Sequence, residues 1–174
     1  MRKFFKYFFI TVILVFHLFL FATVHYVFPR YDVTQVTGVE VKRMDKDGLI
    51  TKTNPADGPT RDVYFINTQH PDGKVRVYRN EDTGWGFPFY FKFGSANLQA
   101  EAQALGNEQK TVQMKYYGWR ITVFNEFPNA LSVEALAEGE SPNHLIFAYI
   151  FYVILLFTLF FSVQFVRGWF DSEN

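Results

Sequence analysis

Two uninterrupted apolar runs decide what this chain can become. Tyr7 to Phe28 holds no Lys, Arg, Asp or Glu across 22 positions, and His144 to Val166 holds none across 23. Each exceeds the roughly 20 residues an α-helix needs to cross a hydrocarbon layer about 30 Å thick. In lipid, a helix of that length satisfies its own backbone groups. The expected fold class is therefore a membrane protein with transmembrane helices at 7–28 and 143–166. The chain-wide hydrophobic share of 49% hides this, because the polar residues between the runs restore a soluble-looking average.

The first run has a rival reading as a cleaved secretory signal, since Arg2, Lys3 and Lys6 form a basic leader. Its length and the absence of a small-x-small cleavage pattern in FATVHYVFPR favour an uncleaved anchor. Three basic residues before the first helix and Arg167 after the second put both ends, 1–6 and 167–174, in the cytoplasm by the positive-inside rule. The intervening 29–142 is then a periplasmic domain, and the expected location is a bacterial inner membrane. The chain has no cysteine, hence no thiolate nucleophile and no zinc–thiolate site. Lys+Arg and Asp+Glu are equal at 17 each without a basic run, which argues against nucleic acid as a partner.

Within the domain, Tyr31 to Met44 alternates with a one-residue shift near Gly38, the pattern of a strand with a bulge. Asp45 to Thr60 is rich in turn formers and reads as a loop. Arg61–Gln69 and Lys74–Asn80 flank His-Pro-Asp-Gly and predict a hairpin. FPFYFKF, residues 87–93, also reads as a strand. A short amphipathic helix is expected over Ala96 to Leu105, capped by Ser95 and stopped by Gly106. Thr111–Phe124 and Ala130–Leu136 complete the strands. Three strands, a helix and two strands match a small OB-like barrel (β-β-β-α-β-β). An open antiparallel sheet covered by one helix fits the same order.

The stretch Tyr78 to Phe93, YRNEDTGWGFPFYFKF, concentrates the candidate functional residues. Asn80, Glu81, Asp82 and Thr83 are possible ligands for a cation, but short polar side chains of this kind ordinarily bond the backbone of their own turn. Trp85, Phe87, Phe89, Tyr90 and Phe91 belong in the core, at the bilayer interface, or on a binding surface shared with Trp119 and Arg120. A binding surface predicts an exposed apolar patch. In the membrane, His17 and Thr158 lie at similar depth and are expected to share an interhelical hydrogen bond. No catalytic residues and no cofactor are indicated: His70 sits in a hairpin turn, and nucleophile-elbow, phosphate-loop and dinucleotide patterns are missing from the sequence.

YRNEDTGWG (78–86), FKFGSANLQAEAQ (91–103), YYGWRI (116–121) and FPNALSV (127–133) together resemble a bacterial inner-membrane protein family known only as a domain of unknown function. The resemblance runs from Tyr31 to Val133 and takes in the flanking helices. It implies helix, extracytoplasmic domain, helix, and no particular activity. Two functions fit: a non-enzymatic accessory subunit binding another inner-membrane protein or its own copies, and a module binding lipid, glycan or metal at the barrel mouth.

Overall fold

In chain order the elements are α1 (Arg2–Val27), β1 (Arg30–Asp45), β2 (Gly48–Leu49), β3 (Arg61–Gln69), β4 (Val75–Asn80), α2 (Ser95–Asn107), β5 (Thr111–Tyr117), β6 (Asn129–Ala135) and α3 (Ile146–Asp171). They come from a computed structural model that describes residues 1–46, 48–137, 139–144 and 146–172. The chain divides into two units, the terminal helices and Pro29–His144.

The apolar runs form α1 and α3, each 26 residues and apolar enough to cross a membrane by length and composition. Only 6% of each apolar window is buried, so neither is the core helix of a soluble fold, although a secretory signal would pass the same test as α1. The two pack antiparallel. Phe28 meets Phe151 at 4.9 Å between ring centroids, Phe21 stacks on Tyr152 at 5.7 Å, and Lys6 pairs with Asp171 at 2.7 Å at the other end.

The second unit is a mixed sheet with one helix. β1 bonds β5 through Arg30–Gln35 and β3 through Gln35–Met44, with the register shift falling between Val36 and Gly38 as the sequence pattern indicates. β3 and β4 form the predicted hairpin, closed by the His70 N–H donating to the Lys74 carbonyl at 2.8 Å. β4 then meets β6 in parallel at Arg79 and Asn129, and β6 returns antiparallel to β5. That parallel contact makes the sheet mixed, where the open-sheet alternative expected antiparallel pairing throughout. Pairing runs from β1 through β3, β4, β6 and β5 and arrives back at β1.

The inward side chains include Val36, Ile66, Tyr78, Val112, Met114 and Val133, with Leu98 and Ala102 of α2 packed onto them. Burying a side chain such as Leu98 contributes about 1.5–3 kcal/mol. Gly106 lets α2 approach β1: a Cβ there would lie 3.1 Å from Val36 Cγ1 and 3.2 Å from the Val36 carbonyl oxygen.

Several expectations are corrected. Residues 87–93 are not a strand, because their backbone bonds close on the loop itself rather than on a neighbour: Gly84 N–H donates to Lys92 O at 3.1 Å and Phe89 N–H to Gly86 O at 2.8 Å. The strand from Thr111 ends at Tyr117, where Gly118 turns the chain at φ 86° and a 3₁₀ turn follows at Thr122–Phe124. Ser95 is not the cap of α2 but its first residue, and its N–H is taken by Asp82 Oδ1 at 2.8 Å. Gly106 lies inside that helix instead of stopping it. The 45–60 loop contains β2, which pairs Gly48 with Asp45; Asp47 between them lies outside the described residues.

Candidate functional site

The loop between β4 and α2 is built from the bottom by polar side chains. Asn80 is buried and donates through Nδ2 to Ser95 O at 2.8 Å and Gln99 Oε1 at 3.0 Å. Its Oδ1 accepts from Lys92 Nζ at 2.5 Å, and the same ammonium donates to Ala130 O at 2.8 Å. Burial pushes the Lys92 amine down to about 8, against the nearby Asp82 and Glu81 carboxylates, which favour its charge. Glu81 pairs with Arg61 at 2.9 Å and Arg79 at 2.8 Å. Thr83 Oγ1 accepts from the Lys92 N–H at 3.1 Å. The polar cluster Asn80–Thr83 is thus engaged in fastening the loop at both ends.

Above that floor the odd-numbered aromatics project outward. Trp85, Phe87, Phe89, Phe91 and Phe93 are 78%, 64%, 59%, 52% and 57% exposed. Trp85 packs edge-on against Phe91 at 5.4 Å and Phe93 at 5.5 Å, and Phe87 against Phe89 at 5.8 Å. Tyr90 points back and lies 4.9 Å from Tyr117, with burial raising its phenol above the ordinary range. Phe89 and Phe91 hold φ of 61° and 51°. The left-handed region costs a side-chain-bearing residue about 1–2 kcal/mol. These two phenylalanines accept that cost while remaining exposed, so core burial is not what their conformation serves.

Trp119 and Arg120 are placed elsewhere. The Arg120 guanidinium lies 3.9 Å over the Phe127 ring, and both Trp119 and Arg120 line a cleft with Arg30, Arg76 and Tyr116. In the helical unit His17 and Thr158 meet, Nε2 to Oγ1 at 3.3 Å, while His17 Nδ1 faces the Ile13 carbonyl at 2.9 Å. The Thr158 hydroxyl also donates to the Leu155 carbonyl of its own helix at 3.0 Å. Thr11 bonds the Tyr7 carbonyl of its own helix at 2.9 Å.

A family model described as "Protein of unknown function (DUF1523)" matches residues 5–170. The chain belongs to the DUF1523 family. An uncharacterized protein of Haemophilus influenzae is 69% identical to this DUF1523 chain over 174 residues, covering all of both. Among solved structures, two mutants of the Salmonella typhi PltB homopentamer, one of them with glycans, align at 12% identity and a TM-score of 0.41, covering 67% of this chain and 94% of theirs.

The DUF1523 domain also holds a charged cluster that no sequence pattern announces. Asp32 accepts from the Tyr78 hydroxyl at 2.5 Å and from Arg76 Nη1, which donates in addition to the Tyr116 hydroxyl at 3.0 Å. His70 Nε2 lies 3.7 Å from the same carboxylate. Burial, and after it Asp32, pushes the Tyr78 phenol far above its usual range. A separate cleft of about 480 Å³ is lined by Asp45, Arg61, Phe65, Arg79, Phe124 and Glu126 among others; the aromatics at 85–93 take no part in it.

Proposed function

We propose that this DUF1523 protein is a non-enzymatic interaction domain held in a bacterial inner membrane by α1 and α3, with both termini cytoplasmic and the sheet domain periplasmic. It serves as an accessory subunit of a larger inner-membrane complex. The sheet is read as an OB-like small barrel, supported by the return of pairing to β1, the parallel β4–β6 contact and the position of α2 between β4 and β5.

One observation carries the reading. Five aromatics stand exposed on a loop whose backbone is strained at Phe89 and Phe91 and whose floor is fixed by the half-buried Lys92. Rigid aromatics lose little freedom on docking and dominate the energetics of protein interfaces. Purification from native membranes in mild detergent tests it: a stoichiometric partner protein retained by wild type and lost with Trp85→Ala is the expected result. Recovery of the same material with and without Trp85→Ala overturns it. Reporter fusions at Asn107 and after Asn174 are expected in opposite compartments, and a cytoplasmic signal at Asn107 would refute the anchoring scheme.

The alternative, a ligand-binding module at the barrel mouth, draws support from the 480 Å³ cleft. Its mixed acidic, basic and aromatic lining suits a small polar ligand such as a glycan unit.

A further inference from the structure

The cleft that holds Trp119 and Arg120 collects guanidinium groups beyond what its surroundings neutralise. It measures about 330 Å³ and is lined by Arg30, Arg76, Tyr116, Gly118, Trp119 and Arg120 with Pro128. Arg76 is matched by Asp32. Arg30 donates through Nη2 to the Gly118 carbonyl, its Nε is buried without a hydrogen-bond partner, and its guanidinium carbon sits 5.0 Å over the Tyr116 ring. Arg120 spends its donors on the Glu126 carbonyl at 2.8 Å and the Asn125 amide oxygen at 3.4 Å. Among the described residues neither Arg30 nor Arg120 pairs with a carboxylate, and the Glu126 side chain pairs with Arg79 at 3.3 Å.

Three guanidinium groups facing one cleft and one carboxylate leave two positive charges for an incoming anion. Arginine stays charged at any physiological pH, and its planar fork fits the oxygens of a phosphate. We infer that the Arg30–Arg76–Arg120 cleft is a binding site for a phosphate group, supplied by the headgroup of an anionic phospholipid. The phosphate chemistry stands on the cleft alone, while the lipid source rests on the anchored reading of α1. Arg30 is the third residue after Val27, where α1 ends, so the connecting chain spans at most about 10 Å. A basic residue joined by so short a connection to a membrane-spanning helix is tethered within reach of phospholipid headgroups, where its guanidinium can pair with their phosphates. A volume of 330 Å³ admits a glycerophosphate headgroup and leaves the acyl chains outside.

The chain has three tryptophans, so Trp85→Phe with Trp169→Phe leaves Trp119 as a fluorescent reporter inside the cleft. Full-length protein in maltoside detergent is titrated with short-chain phosphatidylglycerol below its micelle concentration, and separately with inorganic phosphate. A saturable change in Trp119 emission with the lipid is expected, weakened at least about tenfold by Arg30→Gln and by Arg120→Gln, as losing a charge-assisted bond requires. Arg30→Lys should retain part of the binding. Arg120→Gln is a surface change, so its effect is separable from folding. Saturation by inorganic phosphate but not lipid, with the same arginine dependence, assigns the site to free phosphate and overturns the lipid source. Saturation by neither probe, or unchanged binding in both Gln variants, overturns the site. Carbonate extraction of membranes checks the anchor independently: release of the protein would refute anchoring while leaving a phosphate response intact.

Discussion

The Lys92 ammonium donates to Asn80 Oδ1 at 2.5 Å beneath a loop whose other residues turn their aromatic rings to solvent. Asn80 in turn bonds the first turn of α2 through Ser95 O and Gln99 Oε1. One half-buried amine and one buried amide therefore connect the aromatic loop, the helix and, through Ala130 O, strand β6.

That amine gives the domain a pH dependence with a defined sign. Its folded value of about 8 lies below the ordinary 10.5, so between these values the unfolded chain binds the extra proton and stability rises with pH. Below about pH 8 the cost of charging the buried amine is fully present, on the order of 3 kcal/mol. Chemical unfolding of the full chain in detergent, followed by near-UV circular dichroism from pH 7 to 10, should show the rise. Lys92→Gln should abolish it.

The Asp32 cluster should behave as a structural unit. Tyr78→Phe removes a hydrogen bond to a charged acceptor and is expected to cost about 1.5–3 kcal/mol. Asp32→Ala takes the acceptor from both Tyr78 and Arg76, but the Arg76 side chain is 42% exposed and screened by water, so the cost should stay at about 2–3 kcal/mol. Because the Tyr78 phenol is held protonated, its contribution is complete below pH 10 and declines only above it. Urea midpoints at pH 7 and pH 10.5 check both statements.

Phe91→Gly separates docking from folding. Glycine relaxes the positive φ at this exposed position, so unfolding free energy should stay within about 0.5 kcal/mol of wild type. Partner retention should nevertheless fall, since Phe91 supports Trp85 edge-on. A large loss of stability would instead mean that the aromatics serve the core.

Gly106→Ala is expected to destabilise by about 1 kcal/mol. Alanine improves helix propensity by roughly 1 kcal/mol, but its Cβ would press on both the Val36 side chain and carbonyl, and overpacking of this kind costs about 1–3 kcal/mol. Denaturant midpoints compared with wild type read the balance.

Much of the fold was legible because local chemistry dictated it. The two uncharged runs became α1 and α3, His-Pro-Asp-Gly closed the β3–β4 hairpin, and Gly38 marked the register shift. The aromatic stretch misled because outward and inward residues alternate there as in a strand, while Phe89 and Phe91 achieve the alternation with left-handed backbone and no partner strand. The Asp32 cluster was invisible for another reason. Its members come from β1, β4, β5 and the β3–β4 turn; the bonds from Asp32 to Arg76 and Tyr78 span 44 and 46 positions and that from Arg76 to Tyr116 spans 40, separations that no local pattern reports. His17 and Thr158 were legible because depth in an apolar helix is a matter of counting residues.

Asn129 has a consequence of its own. Its carboxamide accepts from the Glu81 N–H at 2.9 Å and donates to the Glu81 carbonyl at 3.0 Å, the two bonds a neighbouring backbone would make. Beyond the single Arg79–Asn129 rung, β4 and β6 are joined here by a side chain imitating a strand. A seam held by one rung and by the side chains of Asn129 and Lys92 has fewer backbone bonds than the β1–β3 ladder, and hydrogen exchange at Glu81 should precede exchange in that ladder. Since the aromatic loop starts right after that seam, any load applied to Trp85 reaches a joint held mainly by side chains first.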